Sequence, residues 1–480
     1  MTSLPRADDA LRLREALESA RYTETELEHR FGGAALAAAR RGDFRAVLAA
    51  SDDDPQSVVM RLFLCGTSES ADAVTRALAP LDPACGLLER DGDEYRAALR
   101  LDLHSGRWLL SDRTDAAGLS SEHVLGPAAA AASMAGYMVR QDIGAALDIG
   151  TGCGVLAAEL SGHAERVTGT DISPRALEFA AANAALNGLD WELVRGDLAE
   201  PVRDRRFDHV VSNPPFIIGP GLGDYDYRDS GRPGDAVCAE LARDAVRLLN
   251  PDGTLQFMAN WCHVKGQDWT ERIAAWFADA GCQVWAIQRE AVDPLEYVRF
   301  WERDAADSHD PHRLAAWLDW FDANDVEAVG FGVINARRSA SCAAIKCEDL
   351  RQTPERRFGE LIAEWFDARA RLDALTPAAL LAARPRLADG VQLRQDAVAG
   401  AEGWRVERQM LESTAGLRRA EEIDPLLVSF VAGCRGDVDV RTLAGLLAHA
   451  HDADPALLAA ALSPVVRDLT DQGFLTLDGG

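Results

Sequence analysis

The chain contains Leu147-Asp-Ile-Gly-Thr-Gly-Cys-Gly154, a glycine-rich segment between an apolar, strand-like stretch and a helix-like stretch. Glycine lets a turn pass close to a ligand because no side chain stands in the way. The spacing fits the dinucleotide pattern G-x-G-x-x-A in one register only, through Gly152, Gly154 and Ala157. The glycines therefore predict a ligand-binding turn between a strand and a helix, and they leave the ligand open.

Strand-like and helix-like segments alternate on both sides of this turn. The strand-like segments are Ala145–Ile149, Val167–Thr170, Trp191–Val194, His209–Ser212, Gly253–Ala259, Gln283–Gln288 and Ala328–Ala336. Alternation of this kind predicts an α/β fold, a doubly wound and mostly parallel sheet of seven strands with helices on both faces. The connection over 290–324 is too long for a simple loop and contains several aromatic residues, which predicts a helical insertion.

The 480 residues are enough for about three domains. The pattern over 1–117 predicts helices followed by a small sheet. The pattern over 346–480 predicts helices and one hairpin, formed by Val391–Val398 and Trp404–Leu411. The sequence thus predicts a central domain over 118–345, flanked by two smaller, mainly helical domains for which a winged-helix-like arrangement is one candidate.

Composition excludes several classes of protein. With 50 Lys+Arg against 77 Asp+Glu, the formal net charge is −27, which argues against a protein that holds nucleic acid by bulk charge. The lysines are Lys265 and Lys346, and neither stands in a P-loop motif. No G-x-S-x-G motif of a serine hydrolase is present.

The same features predict where the protein resides. The nine cysteines are scattered without a C-x-x-C pair, which favours reduced thiols and gives no metal-binding pattern. The sequence shows no signal-peptide pattern and no apolar run of membrane-spanning length. We therefore expect a cytoplasmic protein with no membrane partner and no metal site.

Acidic residues lie at the ends of the first three strands of the predicted sheet and suggest the ligand. Asp148 precedes the first glycine, where a carboxylate suits the cationic end of an amino acid. Asp171 ends the second strand, where it can accept from both hydroxyls of a ribose. Asp197 follows the third strand, where it can accept from the exocyclic amine of adenine. A ligand with amino acid, ribose and adenine is S-adenosylmethionine (SAM), with S-adenosylhomocysteine (SAH) as its product.

The fourth strand ends in Asn213-Pro-Pro-Phe216, a tetrapeptide suited to a planar amino group. The Asn213 side-chain oxygen and the Pro214 carbonyl, which has no sheet ladder to join, can accept both hydrogens of an NH₂ group. Phe216 offers a face for the flat acceptor. Two such acceptors stabilise the positive charge that develops on an sp² nitrogen as it is methylated. The motif therefore predicts N-methylation.

Residues 120–340 resemble the class I SAM-dependent methyltransferases that carry an N-P-P-[FY] motif within a small methyltransferase domain. This group includes release-factor glutamine N-methyltransferases and enzymes that methylate adenine N6 or guanine N2. The resemblance implies that SAM is bound by Asp148, Gly150, Thr151, Gly152, Gly154, Asp171, Ile172, Asp197, Leu198 and Asn213. It implies that the catalytic residues are Asn213, Pro214, Pro215 and Phe216.

The sequence leaves several classes of methyl acceptor open, and it favours a macromolecule. The segment Ser230–Val237 resembles the glutamine-modifying branch and, with the acidic charge, favours a protein glutamine amide over nucleic acid. Phe216 in place of tyrosine and the flanking domains favour an adenine or guanine amine in RNA or DNA. A small-molecule acceptor and a non-catalytic SAM-binding scaffold are further alternatives.

An acidic loop after the motif contains candidate substrate-contacting residues, which are Tyr225, Tyr227 and Arg228. The same loop is also consistent with a solvated lid.

Overall fold

The computed structural model describes residues 4–113, 122–221, 231–304, 311–339, 343–401 and 403–478. These residues form two compact units. The first contains the chain up to residue 135 together with 141–338 and 344–349, and the second contains 136–140 and the chain from 350 onward.

The N-terminal part of the first unit is mainly helical. Its elements are α1 (Ala7–Ser19), α2 (Glu24–Phe31), α3 (Gly33–Arg40), α4 (Arg45–Ala50), α5 (Pro55–Val59), a π-helix (Met60–Cys65), β1 (Glu69–Ser70), α6 (Ala71–Leu78), β2 (Leu88–Asp91), β3 (Glu94–Ala97), β4 (Leu99–His104) and β5 (Arg107–Asp112). Strands β1, β3 and β2 form a small sheet, whereas β4 and β5 form a separate hairpin.

The rest of the first unit is built on one large sheet. Its strands are β6 (Ile143–Ile149), β7 (Ala164–Asp171), β8 (Trp191–Arg195), β9 (Phe207–Ser212), β10 (Leu249–Val264), β11 (Cys282–Val292), β12 (Val326–Arg338) and β13 (Ala344–Asp349). Its helices are α7 (Ala129–Tyr137), α8 (Val155–Leu160), α9 (Pro174–Asn187), α10 (Ala236–Ala245), α11 (Trp269–Trp276), α12 (Pro294–Asp304) and α13 (Pro311–Ala323), with 3-10 turns at Glu200–Val202 and Val246–Leu248.

The strand order of the large sheet is β13-β11-β12-β10-β9-β6-β7-β8. The strands from β10 to β8 are parallel to one another, and β12 is antiparallel to both of its neighbours. All seven predicted strands are present, and the α/β fold class is confirmed. Helices α12 and α13 occupy the predicted insertion.

The sheet has eight strands rather than the seven predicted. The eighth, β13, pairs in parallel with β11 at the edge of the sheet. It extends to Asp349, so the predicted boundary between residues 345 and 346 falls inside a strand. Strand β13 was not predicted because this edge strand is half-exposed and carries charged residues instead of an apolar run. The other predicted boundary, between 117 and 118, lies outside the described residues.

The β4–β5 hairpin packs on helix α9 through two asparagines. The Asn183 side chain accepts from Leu110 N at 2.8 Å and donates to Leu110 O at 2.9 Å. It also donates to the carbonyl of Cys153, in the glycine turn, at 2.8 Å. Asn187 bonds both backbone groups of Trp108 in the same way. The hairpin therefore supports the helix that follows the second strand of the large sheet.

The second unit combines helices with a long hairpin. Its elements are α14 (Phe358–Ala374), α15 (Pro377–Ala382), β14 (Arg384–Leu387), β15 (Val391–Gly400), β16 (Gly403–Ser413), β17 (Ala420–Glu422), α16 (Pro425–Gly433), α17 (Val440–Ala450), α18 (Pro455–Asp471) and β18 (Leu475–Asp478). Strands β15 and β16 form the predicted hairpin, and β14 pairs with β18. A winged-helix-like arrangement stays a prediction for both flanking regions.

Among the helices of the described ranges, none is both long and apolar enough to cross a bilayer.

Candidate functional site

The predicted site residues gather at one edge of the large sheet. Parallel pairing places Ile149 beside Ser212 and Asp148 beside Gly169. Strands β9, β6 and β7 therefore end together, and Asn213, the glycine turn and Asp171 follow these ends. This is the edge at which open α/β sheets bind their ligands. Strand β8, which Asp197 follows, lies one position further out.

The glycine turn is held open toward this edge. Gly150 and Gly152 have φ of 71° and 55°, and a Cβ atom at either position would meet nothing within 4 Å. The absence of side chains at these two positions leaves room for a ligand above the turn. Gly154 serves another purpose, because at φ of 91° its missing side chain makes room for the ring of Trp191. The turn is thus shaped by packing on one side and open on the other.

Asp148 lies beneath the turn and is 1% exposed. Its Oδ2 accepts from Thr151 Oγ1 at 2.8 Å and from Ala157 N at 3.0 Å. Its Oδ1 is buried and has no hydrogen-bond partner among the described residues. Burial raises the pKa of Asp148 to about 7. One carboxylate oxygen is therefore committed to the turn, and the other is available to a cationic or hydrogen-bonding ligand.

Asp171 ends β7 and fixes the turn from the other side. Its Oδ2 accepts from Gly152 N at 2.8 Å and its Oδ1 from Ser173 N at 2.9 Å. The carboxylate is thereby oriented by two backbone groups. The next residue, Ile172, is 55% exposed and presents an apolar surface at the strand end. A flat ring can pack on such a surface.

Asp197 is half-exposed and bound to a residue that sequence reasoning did not single out. Arg232 Nη2 donates to Asp197 Oδ2 at 2.8 Å, and Arg232 Nε donates to Glu240 Oε2 at 2.7 Å. The ion pairs raise the pKa of Arg232 although desolvation opposes this. Leu198, the next predicted residue, has φ of 44° and its carbonyl accepts from Thr170 Oγ1 at 3.1 Å. It contributes to the site through its backbone position.

The Asn213-Pro-Pro-Phe216 segment leaves β9 beside the glycine turn. Asn213 Oδ1 is buried and has no hydrogen-bond partner within the described part of the chain. The Pro214 carbonyl lies outside the sheet ladder as expected, yet it accepts from Phe216 N at 2.8 Å. A carbonyl oxygen has two lone pairs, so one stays available to an acceptor molecule. This tight bond forms inside the motif and could not be inferred from the sequence alone.

Phe216 is more enclosed than a platform for a flat group requires. It is 9% exposed, and its ring lies 6.2 Å from the ring of Trp301 at 60°. Its role toward the acceptor stays a prediction, as does that of Pro215. The candidates Tyr225, Tyr227 and Arg228 lie outside the described residues.

A second residue missed by sequence reasoning, Tyr297 of α12, supports the segment after the motif. It is fully buried, and its hydroxyl accepts from Ile218 N at 2.8 Å and from Asn260 Nδ2 at 3.0 Å. Burial raises the pKa of the Tyr297 hydroxyl. The helical insertion thus anchors the backbone two residues beyond Phe216. The only sequence signal was the aromatic content of the insertion.

The residues at this edge have a chemistry that suits SAM. Two buried acceptor atoms, Asp148 Oδ1 and Asn213 Oδ1, face no protein partner in the described ranges. Between their strands lies a glycine turn with open space where side chains would be. In the same described ranges, no three His, Cys, Asp or Glu side chains form a group able to hold a metal ion.

Comparison with known proteins identifies the class of this region. Residues 128–273 match the family model described as "Methyltransferase small domain". This region of the chain is a SAM-dependent methyltransferase domain. Two further models, described as "Domain of unknown function (DUF7059)" and "Domain of unknown function (DUF7782)", match residues 19–98 and 363–477, on either side of the methyltransferase domain.

Individual relatives match part of the chain. The ribosomal RNA small subunit methyltransferase C of Salmonella arizonae is 37% identical over 119 residues, which are 24% of this chain and 31% of that protein. The enzyme of the same name from Cronobacter sakazakii matches to the same extent. This chain therefore spans less than a third of the length of these relatives.

Solved structures also show similarity to part of the chain. Phosphoethanolamine N-methyltransferase 2 of Haemonchus contortus, in complex with SAM, is 16% identical with a TM-score of 0.26, and the match covers 42% of this chain and 50% of that one.

Proposed function

We propose that this protein transfers a methyl group from SAM to a planar, sp² amino nitrogen. The observation that supports the proposal most is the buried Asn213 Oδ1, which has no hydrogen-bond partner among the described residues. A buried, unpaired amide oxygen costs free energy, so such an atom is expected where a ligand completes its bonding. Its place at the end of β9, beside the glycine turn, is where the acceptor nitrogen has to meet the methyl group.

The cofactor is held by residues of three strand ends. Asp148 Oδ1 suits the ammonium group of SAM, Asp171 suits the ribose hydroxyls, and Asp197 suits the adenine amine. Ile172 offers the apolar surface on which adenine packs. When bound, SAM supplies an electrophilic methyl group. The chain then has to place the acceptor nitrogen in line and stabilise the charge that nitrogen gains.

Asn213 and Pro214 are proposed to do the second task. The Asn213 amide oxygen accepts one hydrogen of the acceptor NH₂, and the free lone pair of the Pro214 carbonyl accepts the other. Both carbonyl oxygens are held in place before the substrate amine binds. Asn213 is held by its strand, and Pro214 is held by its hydrogen bond from Phe216 N. Acceptors oriented in advance stabilise the developing positive charge without reorganisation. The extra proton leaves to water after transfer, so no residue with an unusual pKa is needed as a base.

For the acceptor molecule, we propose a base amine in RNA as the first candidate. The matched relatives are named as ribosomal RNA methyltransferases, and this name is the support for the choice. The net charge of −27 weakens binding by bulk charge but leaves local contacts open. A protein glutamine amide is the second candidate, supported by the resemblance of the segment around Arg232 to the glutamine-modifying branch.

Transfer of labelled methyl groups separates these candidates. The full chain is incubated with methyl-labelled SAM and extract from cells that lack the protein, and the product is treated with nuclease or with protease. Label released by nuclease alone supports a base amine, and nucleoside analysis then names the atom. Label released by protease alone contradicts the RNA choice and supports glutamine. Absence of enzyme-dependent label from every fraction, small molecules included, contradicts methyl transfer itself.

A further inference from the structure

A depression of about 410 Å³ lies at the amino-terminal ends of the parallel strands of the large sheet. The methyltransferase site lies at the opposite, carboxyl-terminal ends of these strands. Four arginines from different elements line it, and these are Arg206, Arg243, Arg247 and Arg338. Trp276 and the turn 278–280 complete the wall. In a chain with a net charge of −27, four guanidinium groups around one depression are unexpected.

The fold brings these arginines together at the amino-terminal ends of β9 and β10. Arg206 immediately precedes β9, and Phe207 pairs with Leu249 at the start of β10. Arg338 ends β12, and its Nη1 donates to the Leu249 carbonyl at 2.6 Å. Arg243 and Arg247 are four residues apart, so they share one face of α10 and the turn that follows it. The cluster therefore rests on sheet register and helical spacing.

The positive charge is only partly neutralised by the protein. Asp279 lines the depression, and Asp244 approaches Arg247 at 3.4 Å, where both side chains are largely exposed. The neighbouring arginines of the same basic run are different, since Arg205 is paired with Glu192 and Arg203 with Glu200. Arg206 is thus the member of this run that faces the depression. Four guanidinium groups against two carboxylates leave an excess of positive charge that an anion relieves.

We propose that this arginine depression is a binding site for phosphate groups. Guanidinium groups present forked donors that match phosphate oxygens, and several of them around one concave surface are the usual arrangement for phosphate recognition. The site is separate from the methyltransferase site, because Arg206 and Asn213 lie at opposite ends of β9. A strand rises roughly 3.3 Å per residue, so the length of β9 separates these two residues by about 20 Å. The phosphate can come from a polynucleotide backbone or from a free phosphorylated compound.

The test is a binding measurement on the full chain without SAM, so it does not depend on methyl transfer. Pyrophosphate is titrated by calorimetry, and a fluorescein-labelled, 12-nucleotide single-stranded RNA is titrated by anisotropy. Both are measured with the wild type, with the Arg206→Gln/Arg243→Gln double variant and with a control double variant, Arg203→Gln/Arg45→Gln. The control changes net charge equally and alters exposed arginines outside the depression.

The site predicts that the Arg206→Gln/Arg243→Gln variant loses at least roughly tenfold in affinity for pyrophosphate, because hydrogen bonds between charged groups are the strong ones. The control variant keeps wild-type affinity. If the Arg206→Gln/Arg243→Gln variant loses affinity for RNA to the same extent, and pyrophosphate competes with RNA for binding, the bound phosphate belongs to a polynucleotide backbone. If the variant loses affinity for pyrophosphate and its RNA binding is unchanged, the ligand is a free phosphorylated compound.

Equal binding by all three proteins, or no pyrophosphate binding by the wild type, overturns the proposal. Circular dichroism confirms that each variant is folded. Arg338 is left unchanged because its bond to the Leu249 carbonyl contributes to the fold. A second variant, Arg243→Glu, repels the anion without touching a buried contact, and it has to weaken pyrophosphate binding as well.

Discussion

The guanidinium of Arg232 donates to a carboxylate oxygen of Asp197 at 2.8 Å, across 35 positions of sequence. The same guanidinium is anchored to Glu240 in the middle of helix α10. Asp197 is half-exposed and would otherwise be free to rotate into solvent. The pair thus connects the predicted adenine-binding acid to the segment that follows the Asn213 motif.

From this relationship we expect Arg232→Gln to weaken SAM binding about fivefold, the size of one partly exposed ion pair. The turnover number at saturating SAM changes little, because Arg232 positions Asp197 and touches no reacting atom. The comparison of SAH with its inosine analogue gives a sharper readout. The wild type prefers SAH, since Asp197 accepts from the adenine amine, and Arg232→Gln reduces this preference. Arg203→Gln serves as the matched control, and unchanged affinity in Arg232→Gln contradicts the positioning role.

The buried carboxyl of Asp148 predicts a pH dependence. Its pKa in the folded protein is about 7, above its ordinary value of 3.8. The folded state therefore holds the proton more tightly than the unfolded state, and this group lowers the free energy of unfolding as pH rises from about 4 to 7. A cationic ligand favours the ionised carboxylate, so binding of SAH strengthens as pH rises toward 7 and then levels off.

Calorimetric titration of SAH between pH 5.5 and 8.5 checks this expectation. Titrations in buffers of different ionisation enthalpy report the proton that Asp148 releases on binding. Asp148→Asn removes both the pH dependence below 7 and the proton release. The interpretation fails when the wild type binds SAH equally at pH 6 and pH 8, or when the variant retains the wild-type slope.

Tyr297→Phe removes the hydroxyl that accepts from Ile218 N and Asn260 Nδ2. Both donors are then left unpaired inside the protein, and the free energy of unfolding is expected to fall by about 1–3 kcal/mol. Methyl transfer falls more than SAM affinity, since the change loosens the segment after Phe216 and leaves the glycine turn intact. Thermal unfolding and the comparison of kcat with the SAM dissociation constant measure these effects.

A matched control for this change is Tyr95→Phe on the small N-terminal sheet, which is expected to alter neither quantity. Should Tyr297→Phe leave both stability and kcat at wild-type values, the insertion has no part in supporting the motif.

Local sequence patterns were sufficient for the core of the fold and for much of the candidate site. The seven predicted strands were recognisable because each carries apolar residues between turn residues, and the acids Asp148 and Asp171 lie at the ends of their strands. The open glycine turn was predictable for the same reason. Residues that end adjacent parallel strands meet at one edge, whatever the intervening helices contain.

Contacts that depend on tertiary packing could not be predicted in this way. The Arg232–Asp197 pair joins segments that no periodicity connects, and Tyr297 bonds the segment after the motif from a helix 79 positions further along the sequence. Strand β13 was missed because an exposed edge strand lacks the apolar pattern of a buried one. The arginine depression likewise arises from sheet register, which places Arg206 and Arg338 on either side of Leu249.

The most direct test of the account compares SAH binding and methyl transfer in Asn213→Ala. The variant removes the amide oxygen proposed to accept from the amino group, and the glycine turn and Asp171 remain. We expect SAH affinity within about threefold of wild type and a loss of methyl transfer of roughly 10²–10³-fold, the usual effect of removing one oriented hydrogen-bonding group from an active site. Methyl transfer at the wild-type rate in a folded Asn213→Ala protein would contradict the central claim.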